Sequence, residues 1–111
     1  MGLSLTLLPE RHSNAHWFLA YSRLPLMDMS WDFGRVISNA SSPLRQKIDI
    51  YGDDGIESVM DDCYGDPLTY IHADTMAKLL EEMPSEIPWD IAVLAFVKAL
   101  PKDTRIVLWW H

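Results

Sequence analysis

The chain has 111 residues, 49% apolar and 23% charged, which is ordinary globular usage and excludes pervasive disorder. A single domain is the natural expectation at this length, large enough to build a core without disulfides or a structural metal. Sixteen acids against nine bases give a net charge of −7, and no apolar run approaches the roughly 18 residues of a membrane-spanning helix. No basic region followed by an apolar stretch marks a secretory signal at the N-terminus.

Leu3 to Leu8 places Leu3, Leu5 and Leu7 on one strand face and is stopped by Pro9. Glu10 to Asn14 reads as a turn, and the aromatic-rich His16–Tyr21 as an interior strand, with a helix as the competitor. After Pro25, Asp28 or Ser30 can cap a helix over Trp31–Asn39, whose apolar face is ragged. Asn39–Pro43 is a loop by composition. Lys47–Tyr51 and Ile56–Met60 flank Gly52-Asp53-Asp54-Gly55 and predict a β-hairpin. A turn at Asp61–Pro67 leads to a short strand at Leu68–Ile71.

Asp74 is the expected N-cap of an amphipathic helix carrying Met76, Leu79, Leu80 and Met83, ended by Pro84. Ser85 or Pro88 opens the next helix. That helix is apolar nearly all round, which predicts burial in the core together with Trp89 and Trp17. After the Pro101-Lys102-Asp103 turn, Ile106–Trp110 is a continuous apolar strand. The sum is an α+β fold, a mainly antiparallel sheet with about three helices packed on one face.

The charge is unevenly placed. Asp49–Asp90 holds twelve acids against one base, Lys78, a net −11, while the segments on either side each carry +2. Such a stretch repels phosphate, so direct nucleic-acid binding is not expected. It would attract a basic protein, and Asp53, Asp54, Glu57, Asp61, Asp62 and Asp66 are the candidate acidic surface. The bland alternative is a solvated face that aids solubility. Five tryptophans in so short a chain add aromatic anchors. Trp31 stands at a helix start, and the neighbours Trp109 and Trp110 point to opposite faces of the last strand.

No cofactor or metal site follows from the motifs. An EF-hand register around Gly55 puts Ile50 and Gly52 where acidic ligands are needed. His12 and His16 have i, i+4 spacing but lack the glutamate of a zinc-protease motif. No nucleophile elbow, phosphate loop or dinucleotide fingerprint is present. Cys63, the single cysteine, lies among Asp61, Asp62 and Asp66, a poor setting for a thiolate. A small metal-dependent or acid/base hydrolase built from His12, His16, His72 or His111 and nearby carboxylates is the alternative to a non-enzymatic interaction protein.

Tyr64-Gly65-Asp66-Pro67-Leu68-Thr69-Tyr70 and the tail Ala92–His111, which contains Leu100-Pro101-Lys102-Asp103-Thr104-Arg105 and ends in Trp109-Trp110-His111, resemble a group of small bacteriophage and prophage proteins. Those proteins end in a similar Leu-Pro-x-Asp-Thr-(Arg)-apolar-Trp-His stretch. The resemblance covers the C-terminal half and, more weakly, the first strand. It implies a cytoplasmic protein made in an infected or lysogenic bacterium that acts by binding a host or phage protein. It assigns no catalytic residue. A homodimer through the apolar final strand is a further expectation, since an open sheet edge invites strand addition.

Overall fold

The computed structural model describes residues 4–10, 19–20, 24–27, 30–52 and 55–111. Eight strands and three helices follow in the order β1 (Leu5–Pro9), β2 (Leu19–Ala20), β3 (Leu24–Leu26), α1 (Trp31–Ala40), β4 (Ser42–Pro43), β5 (Ile48–Gly52), β6 (Gly55–Val59), β7 (Thr69–His72), α2 (Ala73–Glu82), α3 (Pro88–Ala99) and β8 (Arg105–Trp110). The α+β expectation holds. Five strands form an antiparallel sheet ordered β3-β1-β8-β7-β4. The β5–β6 hairpin, with β2 added in parallel, forms a second sheet of three.

Alternation along β1 and β8 explains how the layers stack. Leu5 and Leu7, with Ile106 and Leu108, face a core shared with Phe33 and Ile37 of α1, Met76 and Leu80 of α2, and Val93 and Val97 of α3. Leu8 and Val107 face the other way, onto a second core with Ile48 and Ile50 of β5. The five-stranded sheet therefore lies between a helical layer and the hairpin. That is why β1 is buried along its whole length and β8 reads as an unbroken apolar run.

Local chemistry sets the helix ends. Ser30 caps α1, its hydroxyl accepting from the Phe33 amide at 3.1 Å. Asp74 is not the cap of α2. The chain enters that helix directly from β7, and carbonyls of the turn before β8 accept its first amides, Ala73 N–H to Thr104 O at 2.9 Å and Asp74 N–H to Lys102 O at 3.3 Å. Pro88 occupies the first position of α3, as its sequence suggests.

Two expectations need correction. The loop 39–43 contains a two-residue strand, β4, because Ser42 and Pro43 pair with Tyr70 and Thr69. The apolar helix α3 is not enclosed: Asp90, Val93 and Val97 are buried, while Trp89, Ile91 and Phe96 are exposed. A helix lying on a sheet covers it with one face, and the opposite side of α3 carries the exposed Trp89, Ile91 and Phe96. In β8, Ile106–Trp110 pair with β1 and Arg105–Leu108 with β7. The expected strand at 16–21 is described only at Leu19–Ala20; Trp17, His12 and His16 lie outside the described residues.

Both edges of the large sheet are short and carry a proline, Pro25 in β3 and Pro43 in β4. Helix α3 also ties down the β3 edge. The Trp89 indole N–H donates to Pro25 O at 2.5 Å, and the Met27 amide donates to Asp90 Oδ1 at 2.7 Å.

Candidate functional site

An open groove of about 410 Å³ runs between α1 and the loop 61–67, at the end of β8. Helix α1 supplies Trp31, Gly34, Arg35 and Ser38, whose i, i+3, i+4, i+7 spacing makes one helical stripe beside the buried Phe33 and Ile37. The loop supplies Asp62, Tyr64 and Asp66, and β8 supplies Trp110.

The loop is held in shape by Asp62. The residue is only 9% exposed, and its Oδ1 accepts the amides of Tyr64 at 2.8 Å and Asp66 at 3.1 Å. The Asp62 amide donates to Asp66 O at 2.9 Å, and Gly65 N–H donates to Asp62 O at 3.1 Å. Gly65 sits at φ +81°, a conformation that favours glycine. A bridge between Asp61 and Pro67 closes the loop, and the Cys63 amide tethers it to Trp110 O at 3.3 Å.

This frame leaves two large aromatic rings in solvent, Trp31 at 69% and Tyr64 at 53% exposure, beside the half-buried Trp110 and the exposed carboxylate of Asp66. Exposed aromatic faces beside a carboxylate suit a cation, which gains both ring-quadrupole and charge attraction. Arg35 in the same groove disfavours a run of several positive charges.

A second cavity of about 290 Å³ opens on the hairpin side and is lined by Thr6, Leu8, Ile50, Cys63, Trp109 and His111. The Thr6 hydroxyl and His111 Nε2 are hydrogen-bonded at 2.9 Å.

The sequence-derived candidates divide clearly. Trp31, Trp110, Asp62 and Asp66 come together in the first groove. Trp109 packs on the opposite face against the hairpin core, and Glu57 is exposed on β6. Asp61 is exposed in the loop, and Asp53 and Asp54 lie outside the described residues. The acidic segment does not form one face. The loop 61–67 adjoins Trp110, whereas Asp74 follows His72, which pairs with Arg105 at the far end of β8, and Asp90 is buried. His72 and His111 are likewise separated by the length of β8, about 20 Å, and share no site. Among the described residues no three His, Cys, Asp or Glu side chains are grouped to hold a metal.

Sequence reasoning does not single out Arg35, Ser38 or Tyr64, although the spacing of Trp31, Arg35 and Ser38 puts them on one side of any helix beginning at Trp31. No protein-family model, curated protein or solved structure matches this chain. No helix among the described residues is long and apolar enough to cross a membrane.

Proposed function

We propose that the chain is a non-enzymatic interaction module, a phage-type accessory protein that binds a basic host or phage protein in the bacterial cytoplasm. The groove between α1 and the loop 61–67 receives a cationic side chain of that partner. The observation that carries this reading is the meeting of Trp31, Tyr64 and Trp110 with Asp66 in one open groove. An arginine or lysine laid on these rings gains about 0.5–2 kcal/mol per ring contact, and the carboxylate fixes its orientation. Arg35 selects a single cation flanked by neutral or acidic residues over a polybasic run.

The test is affinity capture from a bacterial lysate with the wild-type chain and with Trp31→Ala and Asp66→Lys. Both substitutions are at exposed positions and should leave thermal unfolding unchanged. A basic protein retained by the wild type and lost at least tenfold with either variant supports the reading. A partner held equally by all three, or no retained protein, overturns it.

A further inference from the structure

We infer that the cavity of about 290 Å³ on the hairpin side binds a neutral aromatic molecule of one or two rings that carries a hydroxyl. Both sheets wall this cavity. Thr6 and Leu8 of β1 and Trp109 of β8 share the face of the large sheet turned to the hairpin, and Ile50 of β5 and Cys63 of the loop 61–67 add to the wall. Along that face the apolar Leu8 and Val107 give way to Thr6 and His111. The polar end is held in place by the backbone. His111 N–H donates to Ser4 O at 2.9 Å, and Ser4 N–H donates to His111 O at 2.8 Å. The imidazole is fixed in turn by the Thr6 hydroxyl, 2.9 Å from its Nε2, and Thr6 is only 7% exposed. The other ring nitrogen, Nδ1, has no hydrogen-bond partner among the described residues.

The lining sets the class of ligand. No carboxylate, lysine or arginine lines the cavity, so a charged molecule would lose hydration there without meeting a counter-charge. An apolar cavity of about 150 Å³ holds a benzene ring, and this one is roughly twice that size, which suits one or two rings. The half-buried Trp109 indole, with Leu8 and Ile50, offers an aromatic and aliphatic wall for them. The hydroxyl follows from the imidazole. A neutral histidine leaves its second nitrogen as a donor in one tautomer and an acceptor in the other, and a hydroxyl can answer either. The groove of α1 differs on each count, since Asp62, Asp66 and Arg35 line it. The two sites therefore take different chemistry, and either can fail without the other.

Phenol and naphthol, titrated into the full chain and followed by amide and indole N–H shifts in two-dimensional NMR, read the binding. Both should move the Trp109 indole and the Cys63 and His111 amides and leave the Trp31 indole in place, with Kd of roughly 0.1–1 mM. Toluene, which keeps the ring and lacks the hydroxyl, should bind about three- to tenfold more weakly than phenol, and benzoate should not bind. His111→Phe, at an exposed position, keeps a ring and removes its nitrogens, so phenol should then bind no better than toluene. Thr6→Val keeps the shape of a buried β-branched side chain and releases the imidazole, so phenol should weaken about threefold or more while toluene is unaffected. An unmoved Trp109 indole at about 10 mM of either probe, equal responses to phenol, toluene and benzoate, or phenol binding unchanged in His111→Phe would overturn the proposal. So would movement of the Trp31 indole with Trp109 unmoved, which would place the probe in the groove of α1.

Discussion

Asp62 and Asp66 stand four residues apart in one loop and do different work. Asp62 turns inward and satisfies two backbone amides, so its charge shapes the loop rather than meeting solvent. Asp66 contributes its carbonyl and amide to the same turn and is an exposed residue lining the groove. Replacing Asp62 with Ala strands those amides and should cost about 1–3 kcal/mol in urea unfolding. Asp66→Ala should change stability by less than about 0.5 kcal/mol while weakening the binding of a cation. Equal costs at both positions would show that the loop is not organised as described. Composition alone cannot separate these two residues, since both appear as members of an acidic run. Their difference arises from which carboxylate the turn at Gly65 folds inward.

At the scale of elements, strands β1 and β8 and the hairpin are legible because burial on both faces, or a Gly-Asp-Asp-Gly turn between alternating strands, leaves its mark on neighbouring residues. The helices are legible as helices, but which side each presents to the core is not. α3 is apolar around its circumference, so periodicity gives no direction and wrongly predicts a buried outward face. α1 presents Phe33 and Ile37 inward and Trp31, Arg35 and Ser38 to the groove, a division masked by Gly34 and Val36. The start of α2 escapes local reading because its cap comes from carbonyls about 30 residues later, which no local motif reveals. The same long-range logic makes α3 a guard of the sheet edge through Asp90. Asp90→Ala removes the acceptor for the Met27 amide and should lower stability by about 1–3 kcal/mol, with faster amide exchange concentrated in β3. Unchanged exchange at Leu24 and Leu26 would show that the Met27–Asp90 bond does not hold the strand.

Across the whole molecule, opposite ends of β8 are specialised. One end carries Trp110 and the groove. The other is fastened by Arg105, whose Nε bonds Glu10 Oε2 at 2.9 Å, whose backbone amide bonds Glu10 Oε1 at 3.0 Å, and whose guanidinium lies 5.8 Å from the centre of the Tyr70 ring. The Glu10 side chain is only 8% exposed, so its loss leaves the Arg105 charge poorly compensated in a shielded place. Glu10→Ala should cost about 2–3 kcal/mol, a large part of the total for a domain of this size, without altering the groove at the other end. Thermal unfolding measures the first effect, and an unchanged affinity for the captured partner measures the second.

The groove proposed as a receptor for a positive charge is open to direct test. The most direct measurement is a titration with a short neutral-capped peptide carrying one arginine, followed by amide and indole N–H shifts in two-dimensional NMR. Movement of the Trp31 and Trp110 indoles and the Tyr64 and Asp66 amides, with the Trp109 indole unmoved and the response lost in Asp66→Lys, is the predicted result. Shifts confined to other surfaces, or an equal response from Asp66→Lys, would contradict it.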